Sequence, residues 1–462
     1  MTLSKALNYA SEHQHKNIKE LIQLCSIPSV SATPKHKQDV IKTAQWLVDK
    51  LKAIGLSQVT LMQTPGFPIV YAEYLGAGKQ AKTVLVYGHY DVQPAEEETL
   101  SYWDTMPFEP TIIGDNLYAR GATDMKGQIM AAFNAVEAIL ATGSLSVNLK
   151  FLIEGEEEIG SSHLEEFIQT HKDLLACDIF LNPDAGMIGA DLPTITYGLR
   201  GLAIFELFVY GAKNDLHSGS FGGVVHNPAQ ALCKLIAAMH DEKNRVTLPG
   251  FYDKVHTIDD NERKEIARLP LGEDFFLQQT GVTQLWGEEG YTPEERIGIR
   301  PTLEINGIYS GFIAEGFKTV LPGYAMAKIS TRLVLHQNPA EVHQQMLAFL
   351  KENVPPTVTW KLNYMGGSPA SISQRSSAAI RAISKAFEKV WGKQPLSKRE
   401  GGSVPVVLHA QNILKADVVN IGFSLPEDMM HGPNEKLHLP TWTNGIKSLI
   451  YFFNIVGEET SA

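Results

Sequence analysis

Cysteine is scarce in this chain: three in 462 residues, Cys25, Cys177 and Cys233, far apart and without a CxxC pair. That argues against a disulfide framework and points to a reducing compartment. Long apolar runs are missing too. No stretch approaches the roughly 18 apolar residues that span a bilayer. The opening MTLSKALNYASEHQHKNIKE has no apolar core of the kind a signal peptide needs, so the expected location is the cytoplasm. Positive charge is in deficit, with 40 Lys and Arg against 51 Asp and Glu and a formal net charge of −11. A sequence-independent nucleic-acid binder needs a basic footprint, and an anionic membrane surface attracts one. Neither partner is expected. Low-complexity segments and short-period repeats are absent as well.

What remains is ordinary globular composition, 44% hydrophobic and 20% charged. The length exceeds what one hydrophobic core usually serves, so at least two domains are expected. In QDVIKTAQWLVDKLKAIG, Val40, Ala44, Leu47, Leu51 and Ile54 recur at helical spacing. KTVLVYG, VNLKFLIEG and CDIFLNPD read as buried strands, and GQIMAAFNAVEAILATG as a helix. Strands alternating with helices predict a mainly parallel α/β sheet with helices on both faces. Past Arg200 the order becomes βαββαβ, a compact α+β, ferredoxin-like unit, with a charged, irregular stretch at 241–299 inside it. After Gly367 the α/β pattern resumes. The expected organisation is a catalytic α/β domain in two parts, 1–199 and 368–462, interrupted by an inserted domain at 200–367.

Polar clusters follow the predicted strands. YGHYDVQP puts His89 and Asp91 after KTVLVYG. RGATDMKG holds Asp124 just before a helix. NPDAG places Asp184 after CDIFL. FLIEGEEEIGS ends a buried strand on Glu154, Glu156, Glu157 and Glu158, four acids within five residues. In open α/β sheets ligand sites gather beyond the carboxyl ends of the strands. Carboxylates packed there repel one another, and burying them unpaired costs several kcal/mol each. Divalent cations remove that cost, and nitrogen and oxygen donors without sulfur suit Zn²⁺, with Mn²⁺ or Co²⁺ as alternatives. Singly, each cluster is weak: a His-x-Asp is commonly a solvated loop, an acidic run an exposed face, and TDMKG a helix cap. Together, each past a buried strand or opening a helix, they point to a metal site.

GHYDVQP, ARGATDMKG, EGEEEIGS, NPDAG, DLHSGSFGG, STRLV, REGGSVP and HGPNE run in this order over nearly the whole chain. In that combination the chain resembles the co-catalytic di-zinc metallopeptidases. That family includes carnosinase-like dipeptidases, aminoacylase, acetylornithine deacetylase and succinyl-diaminopimelate desuccinylase. The resemblance implies two divalent ions per chain, His89 and Asp184 on one, Glu158 and His431 on the other, and Asp124 bridging. It makes Glu157 the general acid/base and sets Asp91 behind the His89 ring. The Ile-Gly-Ser after the acids favours the pair Glu157–Glu158, with Glu156–Glu157 as the alternative. By the same resemblance His217 helps hold the oxyanion, reaching across a homodimer formed through the inserted domain, which also serves as lid. Arg332, Gly402 and Ser403 bind the substrate carboxylate. Among family members Asp at the Asp184 position, the long insertion and the wording GHYDVQP lean towards a dipeptidase acting on small peptides. The alternative is a deacylase or desuccinylase of N-acyl amino acids. A non-catalytic binding module would lack Glu157 or a ligand, and a serine hydrolase would need a G-x-S-x-G elbow after a strand; neither pattern is met.

Overall fold

The computed structural model describes residues 3–402 and 404–461. The chain forms two compact units: Met1–Tyr197, Ser373–Ser397 and Val406–Ala462 make the first, Gly198–Ile372 and Lys398–Pro405 the second.

In the first unit the sheet runs Gln58–Met62, Ile69–Tyr74, Asn148–Glu154, Thr83–His89, Ile179–Asn182, Asp417–Asn420, Thr194–Leu199. The four central strands, Asn148–Glu154 to Asp417–Asn420, are parallel to one another, while the pairs outside them are antiparallel. Every residue of Asn148–Glu154 is buried, as expected for a strand covered on both sides. Val84, Val86, Leu149, Phe151 and Ile153 join the main core with Ile129, Phe133 and Val136. These last three come from the helix Gly127–Thr142, which is buried without a break from Gly127 to Ile139. On the opposite face Lys150 donates to the carbonyls of Leu174 and Ala176, at the end of the short helix Lys172–Leu175. Helices therefore cover both faces of a largely parallel sheet, the expected α/β class. Because His89 pairs with Glu154 in register, the carboxyl ends of the parallel strands end together, with Asp184 two residues past the Asn182 strand end.

The second unit has a four-stranded antiparallel sheet ordered Thr302–Ser310, Tyr324–Leu333, Gly201–Tyr210, Thr359–Ser368. In chain order this is 2-3-1-4, with helices Pro228–Ala238 and Pro339–Asn353 after the first and third strands. It is the expected βαββαβ unit. Phe205, Leu207, Ala327 and Ile329 face Leu232, Leu235, Met346 and Phe349 in a core of their own. The irregular stretch carries three short helices, Asp260–Ile266, Glu273–Thr280 and Pro293–Gly298. It is pinned by Arg300, which pairs with Glu288 at 2.7 Å and lies over the Tyr252 and Tyr291 rings. Among the described residues no helix is long and apolar enough to cross a membrane.

One ion cluster ties the first unit's helices together. Lys50, on the helix Lys37–Ile54, is buried and donates to Glu20 and Glu137, each at 2.6 Å. Glu137 also accepts from Lys16 and Tyr9. Removing one partner of a buried pair strands the other charge, whereas removing both can be near neutral. Glu137→Leu should therefore lower stability by about 3 kcal/mol, read from urea unfolding of the full chain. Lys50→Met with Glu137→Leu should recover much of that loss. A double variant as unstable as the sum of the two singles would assign the effect to packing.

Candidate metal centre

The site is built at the carboxyl edge of the parallel strands. His89 ends the strand Thr83–His89 and is fully buried. Its Nδ1 lies 3.0 Å from the Asp91 carbonyl oxygen and 3.4 Å from Asp91 Oδ1. Donation from Nδ1 to that carbonyl would let Nε2 act as a ligand once a cation replaces its proton. Nε2 points at Asp124 Oδ1, 3.1 Å away, with Asp184 Oδ2 at 3.9 Å. The other oxygen of Asp124, Oδ2, is 2.8 Å from His431 Nε2, which is itself 3.4 Å from Glu158 Oε2. Two groups result, His89–Asp124–Asp184 and Asp124–Glu158–His431, each with its ligand atoms within 4.8 Å of one another. Asp124 belongs to both.

The four acids after the core strand meet four different fates. Glu154 is buried and accepts from Tyr87 Oη at 2.7 Å and Ser161 Oγ at 2.9 Å. Glu156 meets His163 Nδ1 at 2.8 Å and is in neither ligand group. Glu158 joins His431 and accepts from Gln93 Nε2 at 2.7 Å and Gln93 N at 3.1 Å. Glu157 begins the 3₁₀ turn Glu157–Ile159. Its backbone N–H and that of Glu158 both donate to the Asp91 carboxylate, at 3.2 and 3.1 Å. Asp91 thus touches His89 and fixes the peptide that carries Glu157 and Glu158.

Loops hold the remaining ligands. Asp124 lies in the turn before the helix Gly127–Thr142, and its peptide bond to Met125 is cis. Buried Glu435 accepts from Asp124 N at 3.2 Å, Thr123 N at 3.1 Å, Gly121 N at 3.0 Å and Arg120 Nη1 at 2.8 Å. Arg120 in turn donates to the His431 carbonyl at 3.1 Å, steadying a histidine at φ +63°, where side chains other than glycine are uncommon. Behind Asp184, Ala185 N donates to Ile421 O at 3.0 Å. A Cβ on Gly422 would lie 1.4 Å from Ala185 O, so only glycine allows this approach. Gln93 and Glu435 carry no signal of their own in the sequence. Glu435 lies four residues past His431 within HGPNE, but nothing local shows that it caps the Asp124 turn.

The electrostatics are those of a cation site. Burial, reinforced by the negative Asp124, raises the Asp184 carboxyl well above its ordinary range. The same two causes push Glu158 up to about 8. Burial also raises Glu157, with Asp124 and Asp91 adding to the rise and His89 and His431 opposing it. At Asp124 burial is outweighed by hydrogen bonds from His431 and His89, and its carboxyl is held low. His431 rises to about 9, chiefly through its bond to Asp124. Carboxylates crowded in this way titrate upward unless positive charge is supplied. Imidazole and carboxylate donors without sulfur fit divalent ions, and a carboxylate offering one oxygen to each group fits a pair.

A family model described as peptidase family M20/M25/M40 matches residues 85–454. The chain belongs to this family. Human Beta-Ala-His dipeptidase is 31% identical, over 98% of this chain and 92% of its own. A Cys-Gly metallodipeptidase of Schizosaccharomyces pombe is 32% identical, over 97% of each chain. The crystal structure of an M20 family metallo-carboxypeptidase from Sulfolobus solfataricus is similar at TM-score 0.86 and 31% identity, covering 96% of this chain and 99% of that one. Family membership and the paired ligand groups together make this a centre for two metal ions.

His217 and Arg332 belong to the second unit. His217 ends the short strand Leu216–His217 and accepts from Gly219 N at 3.1 Å. Arg332 lies on the strand Tyr324–Leu333, opposite Leu202 and Thr302. Gly402 is also in this unit, and Ser403 lies outside the described residues.

Glu435 offers a test that touches no ligand. Glu435→Gln keeps the shape but halves its capacity to accept from the Asp124 turn. Outer partners of this kind commonly carry about 10–100-fold in metal affinity. Affinity for both ions should fall by that order, measured by competition with a fluorescent chelator. Unchanged affinity would show that the turn holds Asp124 without Glu435.

Proposed function

We propose that the chain is a metallodipeptidase that hydrolyses the amide bond of small peptides, with Glu157 as general acid/base. The observation that carries this reading is the pair of ligand groups sharing Asp124, with a further carboxylate, Glu157, held next to Glu158 by Asp91. His89, Asp124 and Asp184 would hold one ion, and Asp124, Glu158 and His431 the other. Zn²⁺ suits the donor set best, with Mn²⁺ or Co²⁺ as alternatives. Two such ions polarise a carbonyl and make water a better nucleophile at neutral pH.

The protein's own groups do the rest. Glu157 takes the proton of the attacking water and delivers it to the leaving amine. Burial and the surrounding carboxylates raise its affinity for that proton above that of a free glutamate, which suits a group that must both accept and return it. The pairing of Glu156 with His163 supports Glu157–Glu158, not Glu156–Glu157, as the base and ligand. His217 donates to the oxyanion, and Arg332, Gly402 and Ser403 receive the substrate carboxylate. His217 and the ligands lie in different units.

The homodimer reading rests on exposed apolar side chains of the second unit. Leu216–His217 pairs with Val320–Leu321. Around this ribbon Val224 is 82% exposed, Ile313 76% and Phe317 89%. Large apolar side chains left this exposed support an interaction surface. The cytoplasm suits a chain with three free cysteines.

A panel of free dipeptides, a tripeptide and N-acetyl and N-succinyl amino acids tests the substrate class. Dipeptides should give the highest kcat/KM; preference for the N-acyl compounds would replace this reading by the deacylase one. Glu157→Gln should retain both ions and lose about 10²–10⁴ in kcat, compared by elemental analysis and kinetics. Loss of an ion, with turnover restored on reloading, would make Glu157 a ligand. His217→Ala should lower kcat by about 10²–10³ without altering metal content. If His217 acts across the dimer, mixing inactive His217→Ala and Glu157→Gln chains restores activity once subunits exchange. Exchange without recovery would assign His217 to its own chain.

A further inference from the structure

The carboxylate subsite just proposed contains one arginine, Arg332, and the turn at Gly402. A second arginine stands where these two features meet within the second unit. Arg200 immediately precedes the strand Gly201–Tyr210, whose Leu202 and Gly201 pair with Arg332 and Leu333. Its backbone N–H donates to Glu400 O at 3.2 Å, and its Nε donates to Gly401 O at 3.4 Å. Nη1 reaches the carbonyls of Arg296 and Arg300, each at 3.3 Å. The guanidinium therefore joins three segments: the Arg332 strand pair, the end of the helix Pro293–Gly298, and the turn that leads into Gly402. Gly401 is fitted to it, because a Cβ there would lie 2.7 Å from Arg200 Nη2.

We propose that Arg200 is a positioning and specificity residue for the free carboxylate of the substrate: it fixes the Gly401–Gly402 turn relative to Arg332. The inference rests on the reading of Arg332 and Gly402 as the carboxylate subsite. Its physical basis is the guanidinium geometry. The planar guanidinium fork holds several carbonyls in one geometry, which a lysine point charge cannot reproduce. Burial, followed by the like charge of Arg332, lowers the Arg200 pKa to about 10. The Glu304 carboxylate opposes that shift, and the guanidinium stays charged at neutral pH. Such a subsite selects substrates ending in a free carboxylate over those ending in a neutral amide.

The test compares a dipeptide with its C-terminal amide on the metal-loaded full chain. The dipeptide is followed by kcat and KM, and the amide by kcat/KM or, where it is not cleaved, by competitive Ki. Arg200→Met should lower kcat/KM for the dipeptide by about tenfold or more, mainly through KM. The amide should change by less than about threefold, so discrimination between them shrinks. Arg200→Lys restores charge without the fork and should recover part of the loss. Gly401→Ala, which displaces the guanidinium without deleting it, should show the same selective loss and serves where Arg200→Met does not fold. Arg332→Met is the control for the subsite. If it does not discriminate acid from amide, the carboxylate reading fails and this inference fails with it. If Arg332→Met discriminates while the Arg200 and Gly401 variants affect acid and amide equally, Arg200 is only structural and the proposal is overturned.

Discussion

The Asp124 carboxylate is the contact on which the site turns. Oδ1 faces His89, which ends a buried strand, and Oδ2 faces His431, which stands in a loop more than three hundred residues later. One side chain must serve both, so its position has to be set closely from outside. Glu435 gathers the three amides around Asp124, Arg120 couples that carboxylate to the His431 loop, and Gln128 binds Thr123 O from the helix below. The Glu435 contacts are buried and charge-assisted, and such contacts hold geometry better than solvated ones. Trp442 donates to Gly127 O at 2.7 Å, extending the support into the C-terminal helix.

A sheet edge that collects carboxylates is unstable alone. Asp184, Glu157 and Glu158 are all raised by burial and by one another or Asp124. The fold accepts this strain because strand Asn148–Glu154 is buried on both faces and the following turn is tied to Asp91, Gln93 and Ser161. Stability lost at the edge is compensated in the core beneath it, a common division in enzymes. Divalent cations then turn crowding into binding.

Much of this was legible in the sequence, for identifiable reasons. His89, Asp184 and the acids at 154–158 follow buried strands, and β-periodicity exposes strand ends. Asp124 precedes a strongly apolar helix. The βαββαβ order was readable, whereas the strand order 2-3-1-4 arises only from long-range pairing. His431 sits at positive φ in a loop without periodicity, so only the family resemblance suggested it. Glu435 and Arg200 bind backbone groups distant in sequence, and Gln93 binds the carboxylate of the distant Glu158; such contacts leave no local pattern. The grouping of Lys398–Pro405 with the second unit is silent for the same reason.

Metal stoichiometry decides whether Asp124 is shared by two ions. Protein reconstituted with Zn²⁺ and passed through a desalting column would be analysed by elemental mass spectrometry, as wild type, Asp124→Ala, Asp184→Ala and His431→Ala. About two ions are expected for wild type, about one each for Asp184→Ala and His431→Ala, and close to none for Asp124→Ala, since each group then loses a shared ligand. Two ions retained in Asp124→Ala, or a loss no greater than in the single-site variants, would contradict that sharing.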